Sequence, residues 1–327
     1  MKMTNNTFLK KAKNNSIWVI FLAIFVVAAI LSRNFLTYNN LISVLMTESI
    51  IGILAVGIMW CILSKGIDLS AGSIVALSSV IVASLVQNPE YSGKLFKGAN
   101  PPVFIAVLAA VVVSALFGLI NGLLVAYTKI PPFIATLGTQ LICRAAAQLY
   151  TNAYPIPELK PSFKVLGQGN IFGFPIIVLI FIIFACISGF MLTQTRFGKN
   201  IYAIGGNDAA ARVAGINVEK NLVMVYFWSA LCAGVGGVLL AARSGAGNSS
   251  AGLNYELDAI AAATVGGTSH SGGVCKISGV IAGILILGVV KNIMVLVGVN
   301  PYWQQIVKGV IIIVSVVLDM RKNIEKN

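Results

Sequence analysis

The segment TRFGKNIYAIGGNDAAARVAGINVEKN, residues Thr195 to Asn221, is the longest polar stretch in the second half of the chain and lies between two apolar segments. Its basic residues are Arg196, Lys199, Arg212 and Lys220. Basic residues in a loop between membrane spans are typical of the cytoplasmic side. The sequence therefore predicts a cytoplasmic loop between two spanning helices.

Within this loop, Asn207 to Ala214 is predicted to form a short helix. Asn207 is a favourable N-cap residue, Asp208 lies in the first turn, and Arg212 lies near the end, where a positive charge suits the helix dipole. Gly215 supplies the stop. A short capped helix between two spans suits docking into a groove on a soluble partner. An ordinary connecting loop with one helical turn is the alternative.

The composition of the 327-residue chain predicts a polytopic membrane protein. Hydrophobic residues make up 57% of it and charged residues 10%, whereas a soluble domain carries roughly a quarter charged residues. The net charge of +13 does not indicate nucleic-acid binding, because the basic residues lie mainly in short loops and tails. Five cysteines without a repeating spacing argue against a disulfide framework. One histidine, His270, is too little for a histidine-based metal site.

Ten apolar segments are candidate spans, since a spanning helix needs roughly 20 apolar residues. They are residues 17–32, 41–63, 71–86, 103–127, 133–150, 175–194, 222–242, 257–270, 276–297 and 304–320. The eighth segment is short and rich in glycine, so a broken or re-entrant helix is the alternative there. The expected fold is all-α, a single transmembrane domain over residues 1–327 with about ten spanning helices and one short cytoplasmic helix.

The N-terminus is predicted to lie inside the cell. Four lysines precede the apolar stretch from Ile17 to Leu31, and no small-residue cleavage site follows it, so we interpret it as an uncleaved first span. Ten spans from this start place three segments in the cytoplasm, residues 1–16, 195–221 and 321–327. The loops 87–102 and 151–174 then lie outside with four lysines and two glutamates, so the positive-inside bias is modest.

A faint internal repeat is also present. Gly118-Leu-Ile-Asn121 is followed by Pro131-Pro-Phe133, and the segment from Gly288 to Asn292 is followed by Asn300 to Trp303. With ten spans the two copies run in opposite directions, as in the inverted repeats of transporters. Coincidence in an apolar sequence of low diversity is the alternative.

Polar side chains at membrane depth are costly and are candidates for function. The candidates for a pathway or gate are Glu48, Asp68, Ser70, Asn121, Tyr255, Glu256 and Asp258. Asp68 and Ser70 lie in GIDLSAGS, where either is also suited to cap the third span. Glu256 and Asp258 begin the eighth segment, where capping it or pairing with basic residues of a partner are the two interpretations. Other ionisable residues at this depth are Arg144, Lys291 and Lys308.

No catalytic constellation is visible in the sequence. A phosphate-binding P-loop needs a hydroxyl residue after its Gly-Lys pair, but Lys94 and Lys199 are followed by Leu95 and Asn200. We therefore expect a chain that is not an enzyme and needs no cofactor or metal. If ATP drives this protein, another subunit binds it.

Four stretches, in this order, resemble the membrane-spanning permease subunits of bacterial ABC importers for monosaccharides: GIDLSAGSIVAL, INGLLVAYTKIPPFIATLGT, TRFGKNIYAIGGNDAAARVAGINV and YELDAIAAATVGGTSHSGG. The resemblance covers residues 30 to 320. GVNPYWQQIVKG, residues 298–309, and TRFGKNI are similar to the galactose/methyl-galactoside branch of that family, although its ribose branch shares most of these motifs.

The resemblance implies a set of partners and a location. It implies a homodimer with the pathway at its centre, an ABC ATPase subunit with two nucleotide-binding domains in one chain, and an extracellular or periplasmic sugar-binding protein. The substrate would be a monosaccharide, galactose or methyl galactoside above all, and the location the lipid bilayer of the bacterial inner membrane.

The resemblance also makes residues 195–221 the loop that couples the permease to its ATPase. The implied coupling residues are Gly206, Asn207, Asp208, Ala209, Ala210, Ala211, Arg212 and Gly215. Members commonly carry a glutamate where Ala209 stands, so Asp208 would have to supply any carboxylate contact. Cys275 stands where a glycine is common.

These features favour alternating access driven by the ATPase of a partner, with the short helix transmitting its motion to the spans. The alternative is a secondary transporter driven by an ion gradient. That transporter would use Glu48, Asp68 or Asp258 as a proton or sodium site and would work without a partner.

Overall fold

The computed structural model describes residues 16–324, and side chains from residue 17 to residue 321. Most of the predicted cytoplasmic N-terminus and the last three residues of the predicted tail lie outside this range. In chain order the helices are α1 (Ser16–Leu31), α2 (Tyr38–Leu63), α3 (Ala71–Leu85), α4 (Val103–Tyr127), α5 (Pro132–Thr151), α6 (Pro161–Gln168), α7 (Ile176–Gln194), α8 (Arg196–Gly206), α9 (Asp208–Val213), α10 (Val218–Ser244), α11 (Tyr255–Val265), α12 (Ile277–Leu296) and α13 (Pro301–Ile324). Between α6 and α7, strands β1 (Asn170–Ile171) and β2 (Phe174–Pro175) form a short antiparallel hairpin, a small departure from the expected all-α fold.

Six helices in the described part of the chain are long and apolar enough to cross a membrane. They are Tyr38–Leu63, Val103–Tyr127, Ile176–Gln194, Val218–Ser244, Ile277–Leu296 and Pro301–Arg321. Two shorter apolar helices are Ile17–Leu31 and Ala71–Leu85. The prediction of a helical, multi-pass membrane protein is confirmed, whereas the predicted number of ten spans stays a prediction.

The prediction of one continuous spanning helix at 257–270 is wrong, whereas the alternative of a broken or re-entrant helix there stays a prediction. Helix α11 has 11 residues, so it is about 16 Å long, about half of the roughly 30 Å hydrocarbon core. It ends at Gly266, and the chain turns back through a loop of residues 266–276. Thr268 and Ser269 in this loop are buried.

Helix α10 is the centre of the bundle. It packs on α2, α3, α4 and α6. Helix α2 is buried without interruption from Glu48 to Leu63. Small residues allow the close approach: the Ser78 hydroxyl of α3 donates to the Gly234 carbonyl of α10 at 2.6 Å, and Gly234 also faces Ser114 of α4. Such small-residue contacts are typical of helix packing in lipid.

Each half of the chain packs helices against a long helix of the other half. Helices α3 and α4 of the first half pack on α10 of the second, while α11 and α12 of the second half pack on α2 of the first. A large part of the core is therefore built between the halves.

Helix α13 lies at the edge of the bundle. One side contacts α11 and α12, and the other exposes apolar side chains, among them Ile306, Val310, Ile313 and Val317. The chain thus presents one long apolar helix face to its surroundings.

The predicted loop 195–221 contains two helices rather than one. Helix α9 matches the predicted short helix, with Asn207 as its cap, but α8 precedes it and was not predicted. Three glycines in RFGKNIYAIGG lower intrinsic helix propensity, and burial of Ile201 and Ile204 against the core compensates. The Thr195 hydroxyl caps α8 by accepting from the Gly198 amide at 3.1 Å.

Candidate functional sites

The first candidate site is α9 and its cap. The Asn207 side-chain oxygen accepts from the Ala210 amide at 3.0 Å, as expected for an N-cap. Gly215 has φ +82°, a left-handed conformation that favours glycine, and its amide donates to the Arg212 carbonyl at 2.9 Å. Local sequence therefore defines both ends of this helix.

One face of α9 is exposed and partly apolar. Asp208, Ala209 and Ala210 are exposed, while Ala211 is buried against the protein. Val213, which the sequence analysis missed, is 91% exposed. It lies four residues after Ala209, hence on the same side of the helix, so the i, i+4 spacing was the signal that pointed to it.

Helix α8 fixes α9 to the bundle. The Tyr202 hydroxyl donates to the Cys275 carbonyl in the 266–276 loop at 2.6 Å, and burial raises the pKa of Tyr202 to about 12. Phe197 stacks on Trp60 of α2 with ring centroids 5.2 Å apart. A Cβ atom on Gly205 would collide with the Leu63 carbonyl, so α8 and the end of α2 touch backbone to backbone.

The 266–276 loop in turn holds the last helix. The Asp319 carboxylate of α13 accepts from the Ser269 hydroxyl at 3.0 Å and from the His270 amide at 2.9 Å. The His270 ring shares a hydrogen bond with the Thr264 hydroxyl at 2.8 Å. A continuous path of contacts therefore runs from α9 through α8 and this loop to α13.

The second candidate site is a buried network centred on Asp68. Its carboxylate accepts from the Ser70 amide at 2.9 Å, the Ser70 hydroxyl at 2.6 Å and the Ser229 hydroxyl of α10 at 2.6 Å. The Asn121 amide of α4 donates to the Ser70 hydroxyl at 2.9 Å, and the Thr139 hydroxyl of α5 donates to Asn121 at 2.6 Å. These five side chains are all buried. They join α4, α5 and α10 to the segment before α3.

The structure corrects the expected helix caps. Ser70 is the N-cap residue of α3, but its side chain makes no capping bond, and Asp68 binds Ser70 instead of the helix. Glu256 and Asp258 do not cap α11 either, since Asn254 occupies that position. The three predicted candidates Asp68, Ser70 and Asn121 do come together, and Thr139 and Ser229 complete their network without having been predicted.

A third cluster surrounds Glu256. The Gln140 amide donates to Glu256 Oε1 at 3.2 Å, and Oε2 has no hydrogen-bond partner among the described residues. Arg144 donates to the Ser249 and Ala251 carbonyls, both at 2.8 Å. Helix α5 is thereby fastened to the loop that leads into α11.

The fourth site is a cluster of four charges, which we call the charge cluster: Glu48, Asp258, Lys291 and Lys308. Lys308 Nζ lies 2.5 Å from Asp258 Oδ1. Lys291 Nζ lies between two carboxylates, 3.4 Å from Glu48 Oε1 and 3.5 Å from Asp258 Oδ2. Tyr255 is half-buried within electrostatic range of these charges. The cluster brings together α2, α11, α12 and α13.

Comparison with known proteins gives consistent matches. Residues 40–316 match the family described as branched-chain amino acid transport system / permease component. The galactose/methyl galactoside import permease of Escherichia coli K12 is 39% identical, over 99% of both chains. The ribose import permease of the same strain is 40% identical over 93% of this chain and 92% of its own, and that of Bacillus subtilis 168 is 38% identical over 93% and 92%. The chain belongs to the family of ABC-type monosaccharide permeases. No solved structure matches it.

The family assignment confirms two predictions from the sequence. These permeases are transport proteins rather than enzymes, and they are components of importers in bacterial membranes. The structure places the predicted polar residues in three separate groups inside the bundle, and the residues predicted to couple to an ATPase in and beside the short helix α9.

Proposed function

We propose that this permease is the translocation subunit of an ATP-driven importer and passes a monosaccharide inward by alternating access. The observation that carries the proposal is α9, a capped helix with an exposed face containing Ala209 and Val213 on a base fixed to the bundle. An exposed apolar patch beside charged residues suits docking to a partner protein.

In this proposal α9 is the coupling helix for a separate ABC ATPase subunit with two nucleotide-binding domains in one chain. The residues that contact the ATPase or hold the contact in place are Gly206, Asn207, Asp208, Ala209, Ala210, Ala211, Arg212 and Gly215, and we add Val213. Movement of α9 would reach α13 through α8 and the 266–276 loop.

The remaining partners follow from the same importer scheme. A sugar-binding protein outside the inner membrane delivers the substrate, and a second copy of the chain completes the pathway. The apolar face of α13 is a suitable contact for that copy. The Escherichia coli K12 relative named for galactose/methyl galactoside aligns over 99% of the chain and the one named for ribose over 93%, so we propose galactose or methyl galactoside first and ribose second.

The proposed topology has both termini and residues 195–221 in the cytoplasm, in one transmembrane domain of about ten spans. An inverted repeat is supported by the packing of α3 and α4 on α10 and of α11 and α12 on α2. A two-fold relation between the halves would make these two sets of contacts equivalent. Of the seven predicted pathway candidates we keep Glu48, Tyr255, Glu256 and Asp258. We assign Asp68, Ser70 and Asn121 to structure, because their buried network binds them to one another.

A co-purification experiment tests this function. The tagged chain is expressed in its native host and solubilised gently, beside a variant in which a flexible linker replaces residues 207–215. A matched control replaces the exposed hairpin turn 171–174. We expect a two-domain ATPase with the intact chain and with the control, and its loss with the 207–215 variant.

Uptake assays then distinguish the importer from its alternative. Vesicles containing the permease, its ATPase and the binding protein should take up sugar only with ATP. Uptake by this chain alone in vesicles with an ion gradient and without ATP would contradict the proposal.

A further inference from the structure

Two cavities meet at Lys291 between α2, α12 and α13. The first has a volume of about 200 Å³ and is lined by Asp258, Lys291, Gln304, Gln305 and Lys308 together with aliphatic side chains. The second, of about 190 Å³, is lined on its polar side by Ser43, Thr47, Glu48 and Asn292. Lys291 and Gln304 line both cavities. We call the pair the α12–α13 cleft.

The two ion pairs of Lys291 inside the cleft are incompletely closed, whereas Lys308 pairs closely with Asp258. Charge-assisted N–H···O bonds are ordinarily about 2.7–2.9 Å long, but Lys291 Nζ stands 3.4 Å from Glu48 and 3.5 Å from Asp258. An ammonium group has three donors. Lys291 therefore lies where it can donate to a ligand in the cleft without leaving its two carboxylates.

The lining favours a neutral ligand with several hydroxyl groups. The two acids and two lysines of the charge cluster cancel, so the cleft as a whole has no preference for net charge. Lysine and glutamine offer donors, and the carboxylates and amide oxygens offer acceptors. The aliphatic wall of Leu287, Met294 and Ile311 suits the C–H face of a sugar ring. Small-ligand sites typically combine such apolar walls with a few polar groups.

The volume of each cavity suits a small ligand. A water molecule occupies about 30 Å³ of liquid, so the first cavity takes a molecule with the bulk of several waters. That suits one sugar ring rather than an oligosaccharide. The cleft lies at the end of the bundle near the α12–α13 turn, which faces outward in the proposed topology, where a binding protein would release its sugar.

We propose that the α12–α13 cleft is a sugar-recognition site of the permease itself, in which Lys291, Asp258 and Gln305 hydrogen-bond to ring hydroxyls and contribute to substrate selection. This inference rests on the proposed function and adds to it, because delivery by a binding protein alone requires no recognition site in the membrane chain.

Protection of an introduced thiol tests the site. Of the five native cysteines, Cys186 is exposed and the other four are buried, so Cys186→Ala provides the background. Gln305→Cys places a thiol in the cleft, and Tyr302→Cys is the matched control, exposed on the same helix without lining either cavity. Maleimide labelling rates are measured on the assembled importer in membranes, with D-galactose, D-ribose or the acyclic polyol mannitol.

We expect at least one of the two ring sugars to slow labelling of the thiol at 305 in a saturable way, without slowing labelling at 302. Mannitol should give no comparable protection. Adding Lys291→Met should raise the protecting concentration at least about tenfold, the effect of losing one charge-assisted hydrogen bond. If Lys291→Met prevents assembly, uptake kinetics of Gln305→Ala in the otherwise wild-type chain are the second test. We expect a raised KM for uptake and an unchanged maximal rate.

The failures of the two proposals are distinguishable. If the importer takes up either sugar but neither protects position 305, or if positions 302 and 305 are protected equally, the cleft is not a sugar site while the importer function stands. If the chain takes up neither sugar with its ATPase and binding protein, the proposed function is wrong and the cleft proposal fails with it.

Discussion

The network around Asp68 and the charge cluster around Lys291 both place carboxylates inside the helix bundle, but they differ in how completely those carboxylates are bound. Asp68 is fully buried and accepts three hydrogen bonds of 2.6 to 2.9 Å. Lys291 spans two carboxylates at 3.4 and 3.5 Å beside open cavities. A fully satisfied buried network makes its neighbourhood rigid, whereas the charge cluster keeps unused donors and space. We therefore interpret the Asp68 network as a rigid structural contact. The charge cluster is a place where a ligand can bind or a movement can occur.

The largest loss of stability is expected for a substitution in the Asp68 network. Asp68→Ala leaves three donors of Ser70 and Ser229 unpaired in the core, and each unsatisfied buried donor typically costs about 1–3 kcal/mol. We expect a large loss of folded protein in the membrane and a strongly lowered melting temperature in detergent. Asp208→Ala on the exposed face of α9 is the control and should melt like wild type. A normal melting temperature for Asp68→Ala would show that the Asp68 network is no more important for stability than the charge cluster.

A smaller loss of stability but a large loss of transport is expected at the charge cluster. Asp258→Asn leaves Lys291 and Lys308 with Glu48 as the one carboxylate of the cluster. Uptake should fall at least about tenfold, equivalent to about 1.4 kcal/mol, with a smaller fall in melting temperature than for Asp68→Ala. Adding Lys308→Met restores the charge balance and should recover the melting temperature but not uptake. Recovery of both would make the cluster structural.

A substitution of Thr139, at the end of the Asp68 network, should have an intermediate effect on stability. Thr139→Val removes the hydroxyl that donates to Asn121 and leaves that acceptor without its partner, which costs about 1–3 kcal/mol. Thermal unfolding in detergent measures it. Thr193→Val is the matched control, because the Thr193 hydroxyl bonds only to its own helix at an exposed position, and it should change the melting temperature little.

The smallest effect is expected for the exposed pair Arg212–Glu219. The two atoms lie 2.5 Å apart, but the side chains are 45% and 25% exposed. Surface pairs contribute about 0–1 kcal/mol and weaken with salt. Glu219→Gln should therefore change the melting temperature slightly at low salt and not at high salt. A large change would show that depth in the bundle is not what separates strong from weak charge pairs here.

Much of this organisation was predictable from the sequence, and the misses have physical causes. The capped helix at Asn207 and the unusual polarity of Asp68 and Asn121 follow from local residue types. Helix α8 was missed because its glycines oppose helix formation, and its main support is tertiary packing against α2, α7 and α10. Residues 257–270 were predicted as a span, with a broken or re-entrant helix as the alternative, because hydropathy does not reveal where a glycine-rich segment turns back.

The side-chain contacts of the polar residues were harder to predict than their positions in the membrane helices. Lys291 and Lys308 were recognised at membrane depth, but their pairing with Asp258 depends on how α11, α12 and α13 pack. Thr139 and Ser229 carry no signal of their own, because hydroxyl residues are common in membrane helices and usually bond to their own backbone. Tertiary packing, which a single sequence does not encode locally, decided each of these contacts.

The composition of the charge cluster also has an electrical consequence. Two carboxylates and two ammonium groups cancel, so rearranging the cluster as one unit transfers no net charge across the bilayer. An unbalanced charge crossing the full membrane voltage would add about 2.3 kcal/mol per 100 mV. If the cluster moves as one unit during the proposed transport, the resting voltage of the cell neither drives nor resists that movement.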